Sequence, residues 1–195
     1  MNSTFQEAKE ERFAYHSIHD FFDIYILEDA LLFIQTICKA ASTKKIWKKG
    51  YPYSVLHYLK HLKTLIDSAY YICHEHAQRE EAIIPREPQT EKPGIELLQA
   101  SINNRKGETF WNSFPRHITA EQFYNPYLAI SSFCKYQSQR RWLLALDDIQ
   151  EFALVAHPIS EVHPPYNLLN IQRHLLRLIE ACHLLELRTN VKMKE

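Results

Sequence analysis

Residues Pro52–Asp67 read PYSVLHYLKHLKTLID, and residues Pro165–Glu180 read PYNLLNIQRHLLRLIE. At an offset of 113 the two stretches share Pro-Tyr, a leucine at Leu56/Leu169, His-Leu at 61–62/174–175, and a Leu-Ile-acid triplet at 65–67/178–180. At an offset of 112 the likeness extends upstream: Ile18, Phe21, Leu31, Leu32, Ile37 and Ala41 fall on Ile130, Phe133, Leu143, Leu144, Ile149 and Ala153. A repeated unit of this length, helical in its spacing, reads as a helical hairpin used twice. The expected fold is therefore all-α: a bundle of four core helices with short accessory helices, built on a pseudo-duplicated hairpin.

Working outward, Val55, Leu59, Leu62, Ile66, Ala69 and Cys73 alternate by three and four, the seam of a helix packed along a neighbour. Pro52 and Pro126 suit first-turn positions, where the missing amide has no helical acceptor. Upstream, Ser17 is the expected cap of a first helix running from Ile18 to about Ala41, after a frayed or short helical lead-in over 1–16. Thr119 and Gln122 have capping-box spacing, and Ser138 is a cap at a break near 137–139. Pro158 stops the helix that follows that break.

The chain divides as one domain over 1–195, with hairpin one at about 18–78, a Pro-rich connection at 79–125 and hairpin two at about 126–188. Within the connection, 79–93 is charged and holds three prolines, and 94–104 suits a short helix. Phe110, Trp111 and Phe114 are expected to pack onto the body. Antiparallel pairing inside each hairpin follows from connecting loops of about ten residues.

Three glycines in 195 residues disfavour a turn-rich β fold. The 23 basic and 23 acidic side chains cancel, which argues against a general polyanion-binding surface. No stretch reaches the roughly 18 apolar residues of a membrane span, and no signal-peptide pattern opens the chain. Cys38, Cys73, Cys134 and Cys182 have no paired spacing and read as small buried apolar residues in a reducing compartment. A cytoplasmic protein without membrane contact is expected.

The last helix is apolar on several sides. Leu176, Leu184 and Leu187 point away from its main stripe, so the helix is either central or covered by a partner. The second alternative makes these leucines an interface and the protein a homodimer or partner-binding chain. Glu28 and Asp29 fall on Arg140 and Arg141 at the offset of 112, which places opposite charges at equivalent positions.

Three further groups bear on chemistry. His57 and His61 lie one helical turn apart and can chelate, and His174 is the counterpart of His61. No carboxylate completes a known metal signature beside them, so surface or boundary histidines are the alternative, and no metal or cofactor is expected. In gathering histidines from separate helices, the set resembles the DinB-type metal hydrolases, which implies a metal-dependent bundle enzyme. Arg177-x5-His183 matches the Arg-x4–6-His spacing of HEPN-type ribonucleases, and the chain resembles them in that motif alone. That resemblance implies a catalytic Arg177–His183 pair. The two side chains, however, diverge by about 120° around a helix, and a solvated arginine with a boundary histidine is the other reading. Lys44, Lys45, Trp47, Lys48 and Lys49 form a basic loop able to hold an anion or a nucleic-acid strand. The alternative is a solvated turn with Trp47 folded back onto the body.

The expected function is that of a non-enzymatic helical interaction or scaffold protein that self-associates. A helical-bundle hydrolase, HEPN-like or histidine-metal, is the alternative, and nucleic acid is a less favoured partner.

Overall fold

A computed structural model describes residues 2–48, 50–78, 114–162 and 167–192. Among them are eight helices and no strand. They are α1 (Asn2–Ile24), α2 (Leu27–Ala41), α3 (Pro52–Gln78), α4 (Ala120–Tyr124), α5 (Pro126–Tyr136), α6 (Gln139–Leu154), α7 (Ile159–Val162) and α8 (Leu168–Lys192). The protein is an all-α bundle. Lys49, Phe110, Trp111, His163, Tyr166 and the expected features at 79–93 and 94–104 lie outside the described residues.

Several helix ends follow from local chemistry. Thr119 accepts from the Gln122 amide at 3.2 Å while the Gln122 side chain accepts from the Thr119 amide at 3.1 Å, so the capping box opens α4. Pro126 occupies the first turn of α5, where Asn125 accepts from the Tyr127 amide at 3.2 Å. Asn167 does the same for α8, accepting from the Asn170 amide at 3.1 Å. Each cap satisfies an amide that has no partner within its own helix.

The first helix departs from expectation. Ser17 caps nothing; it is buried inside α1, which starts at Asn2. The helix expected to continue to Ala41 stops at Ile24, and Ile26 is extended at φ −65°, ψ 155°. No glycine or proline marks this break. Its local driver is Glu28 and Asp29 in the first turn of α2, where carboxylates favour the positive end of the helix dipole. The break also turns Leu27, Ala30, Leu31 and Ile34 into the core. In the second half, the expected break at 137–139 separates α5 from α6, and Ser138 is extended at φ −72°, ψ 155°. Its side chain makes no capping hydrogen bond.

The pairing of helices also differs. α2 does not pack along α3; its main neighbours are α6 and α8. Likewise α6 lies against α3, while α1 pairs with α3 and α5 pairs with α8. The long loops do not force adjacent helices together, so each middle helix crosses to the other half. Lys63 to Asp147 and Gln139 to Asp67 tie α3 to α6 at its exposed edge. Glu28, Asp29, Arg140 and Arg141 are all exposed.

The core is continuous through both halves. Tyr58 is fully buried and donates its hydroxyl to the Ala30 carbonyl at 2.7 Å. Phe133 stacks on Trp142 with centroids 4.2 Å apart. The seam Val55, Leu59, Leu62, Ile66 and Ala69 is buried as the spacing predicts, with Cys73 at its half-buried end.

Leu176, Leu184 and Leu187 are buried, at 4, 1 and 7% exposure, and do not form an outward face. The reason is the position of α8, which contacts α1, α2 and α5 on different sides and is covered by its own chain. The central alternative therefore holds for this helix, and the interface assigned to these leucines is withdrawn.

No helix among the described residues is long and apolar enough to cross a membrane. All four cysteines are free thiols; Cys38 and Cys182 are buried, and Cys73 and Cys134 are half-buried.

Candidate functional site

The loop between α2 and α3 is held at both ends and in the middle. At its start, the Ser42 amide donates to the Cys38 carbonyl at 3.0 Å and the Ser42 hydroxyl to the Lys39 carbonyl at 2.9 Å. At its end, Gly50 takes φ +150°, a conformation L side chains rarely adopt, and the chain turns into Pro52. In the middle Trp47 folds inward. Its indole is stacked on Phe33 at 5.8 Å, and its amide donates to the Ala153 carbonyl at 2.9 Å. Trp47 is 7% exposed, so it is an anchor and not a platform for a base. The alternative in which Trp47 folds back onto the body therefore holds, and Trp47 leaves the anion-binding set, because burying a large ring outweighs leaving it in water.

Around that anchor the loop faces solvent. Lys44, Lys45 and Lys48 are exposed, with Lys44 paired to Glu161 at 3.0 Å. Ile46, Tyr51 and Tyr53 are 46, 81 and 69% exposed, and Leu56 continues the apolar positions into α3.

Beside the start of α3 lies a ring cluster. Tyr25, just past the end of α1, places its hydroxyl 2.7 Å from His57 Nδ1. His57 Nε2 is 3.3 Å from His61 Nε2, one turn along α3. Tyr53 lies over His57 with centroids 5.7 Å apart. Burial, aided by neighbouring His57 and Lys60, pulls the His61 pKa below its ordinary value against the opposing pull of Asp20. Burial and Tyr53 push the Tyr25 hydroxyl up, so it stays protonated at neutral pH. The result is a hydrogen-bonded hydroxyl–imidazole–imidazole chain in which a ring nitrogen must donate across the 3.3 Å gap.

His174 does not join this pair. It stacks on Tyr136 at 4.0 Å in the other half, beside Trp142. Burial first, then Arg177 and Arg173, hold its pKa below the ordinary value. No group of three or more His, Cys, Asp or Glu side chains suited to a metal exists among the described residues. The three-histidine arrangement is therefore not assembled.

Arg177 and His183 serve separate partners. Arg177 Nε donates to the His117 carbonyl at 3.1 Å. His183 is 1% exposed, with its ring 5.0 Å from Phe22 of α1.

Sequence reasoning missed Glu180. This fully buried carboxylate accepts from the amides of Arg116, His117 and Ile118 at 2.6, 2.7 and 3.0 Å, and lies 2.8 Å from His117 Nδ1. It clamps segment 116–118 onto α8. The available signal was an acid flanked by Ile179, Ala181 and Cys182, since a carboxylate in apolar surroundings must find donors. A second buried acid, Glu186, lies 3.5 Å from His19 Nδ1 where α1 crosses α8.

No family model, curated protein or solved structure matches this chain.

Proposed function

We propose that this chain is a non-enzymatic helical interaction protein that docks an acidic, apolar protein segment on the loop and helix start spanning residues 44–56. The observation that carries the reading is the division of labour in that loop. Trp47 is locked inside while Lys45, Ile46, Lys48, Tyr51 and Tyr53 stand in solvent. A loop already fixed by its anchor loses little further freedom on binding. Exposed tyrosines are efficient contact residues, and the lysines favour carboxylates on the partner. A different protein is the occupant rather than a second copy. The leucines expected to mediate self-association are inside, and a lysine face repels its own copy. Arg177 and His183, which a nuclease would bring to one substrate, are engaged separately.

The reading includes a duplicated half as the architecture behind this surface. It is supported by two breaks 112 positions apart, at Ile26 and Ser138, with nearly the same backbone angles. It is also supported by the exchange of middle helices between halves and by exposed apolar side chains at matching places, Leu32 with Leu144 and Leu56 with Leu169. A cytoplasmic setting belongs to the same reading, supported by four free thiols, of which burial raises Cys38 to about 12.

Selection of a displayed random-peptide library against the full chain tests the reading. Enriched sequences are expected to combine Asp or Glu with Leu or aromatic residues and to lose binding to the Lys45→Glu, Lys48→Glu double variant. Enrichment of basic sequences, or binding indifferent to the double variant, contradicts it. Binding of a single-stranded oligonucleotide that the same charge reversal abolishes would replace it with a nucleic-acid reading.

A further inference from the structure

The paired imidazoles of α3 carry an inference independent of the docking surface. His57 and His61 Nε2 atoms approach to 3.3 Å, and both rings come from adjacent turns of one rigid helix. Two imidazole nitrogens bound to one ion at about 2.1 Å lie roughly 3.0 Å apart at a right angle and roughly 3.4 Å apart at the tetrahedral angle. The observed spacing falls between these limits, so one ion fits between the two nitrogens with little movement of the rings. His57 Nδ1 meets the Tyr25 hydroxyl at 2.7 Å, the kind of outer contact that fixes ring orientation and tautomer in histidine-ligated sites. Donation from Nδ1–H to the tyrosine oxygen leaves the Nε2 lone pair free. Both histidines are half-buried, so an ion can enter from solvent.

We propose that His57 and His61 chelate one first-row transition-metal ion through their Nε2 atoms, with Tyr25 positioning His57 and water completing the coordination. Neutral imidazoles select zinc, copper or nickel over magnesium and calcium, which take oxygen ligands. Binding moves no electrons: His61 gives up the Nε2 proton that bridges the rings and carries one on Nδ1 instead, so both imidazoles stay neutral and no net proton is released.

The test uses the full chain with Zn²⁺ in calorimetric titration and Cu²⁺ in electron paramagnetic resonance. One strongly bound ion per chain is expected, with two imidazole nitrogens in the copper spectrum, a readout that needs no variant. His57→Gln and His61→Gln should each weaken zinc binding by at least ~10-fold, and Tyr25→Phe should weaken it within the ~10–100-fold range of outer contacts, while His174→Gln should not. Zinc should raise the melting temperature of the wild-type chain and of His174→Gln, but not of the two ligand variants. Equal zinc affinity in wild type, His57→Gln and His61→Gln would overturn the proposal, as would a copper spectrum with a single imidazole.

Discussion

The hydroxyl oxygens of Tyr15 on α1 and Tyr127 on α5 lie 2.9 Å apart, and the two residues are 112 positions apart in the chain. That is the same interval that relates Ile26 to Ser138. On the duplicated reading proposed above, Tyr127 would be the counterpart of Tyr15, and their contact would lie near the axis between the halves. If the bond couples the halves, removing either hydroxyl breaks it. Tyr15→Phe and Tyr127→Phe should each cost about 0.5–1.5 kcal/mol. The double variant should cost clearly less than the sum of the two. Urea unfolding of the four proteins checks this, and strictly additive effects contradict it.

Glu180 should be among the costliest polar residues to remove. Its carboxylate serves three amides of segment 116–118 at once. Charged-group hydrogen bonds are individually strong, and the abandoned amides lose their partner. Glu180→Ala should destabilise by about 3 kcal/mol or more. Hydrogen exchange at the amides of Arg116, His117 and Ile118 should accelerate more than exchange in α3. Uniform acceleration across the chain, or none, counts against the clamp.

Stability should fall on mild acidification. His61 and His174 both have folded pKa values below the ordinary 6.5, chiefly through burial. Above that value both states are neutral at these sites and neither residue contributes. As pH falls through 6.5 the unfolded chain takes up the proton first, so stability is lost until the lowered folded values are passed. Urea midpoints between about pH 7.5 and about pH 5 measure the slope. His174→Asn removes one of the two groups and should flatten it, and an unchanged slope contradicts the assignment.

Trp47 and its lysine neighbours should separate cleanly in effect. Trp47→Ala should cost about 3 kcal/mol or more, as expected for deleting a large buried ring. Lys45→Glu with Lys48→Glu should leave stability within about 0.5 kcal/mol, because both side chains are exposed. Thermal and urea unfolding distinguish an anchored loop from a loose one, in which Trp47→Ala is nearly neutral.

The helical class and the α3 seam were legible because periodicity reports which face of a helix is apolar. The Thr119–Gln122 box and Pro126 were legible because capping is local chemistry. What covers a face is decided elsewhere in the chain. Leu176, Leu184 and Leu187 fitted either a central helix or an interface in sequence, because the crossing of α2 and α1 over α8 leaves no local trace. The break at Ile26 carries no glycine or proline and follows from the charge of the first turn together with the core it turns inward. At the site, the spacing of His57 and His61 was readable, but the Tyr25 contact and the remote position of His174 depend on packing between helices.

The docking surface is tested most directly by fluorescence anisotropy with the tightest acidic peptide from the library selection, titrated with the wild-type chain and with the Lys45→Glu, Lys48→Glu variant. The account predicts saturable binding that weakens with salt and falls at least ~10-fold, or ~1.4 kcal/mol, in the variant. Equal affinity for both proteins, or affinity insensitive to salt, contradicts it.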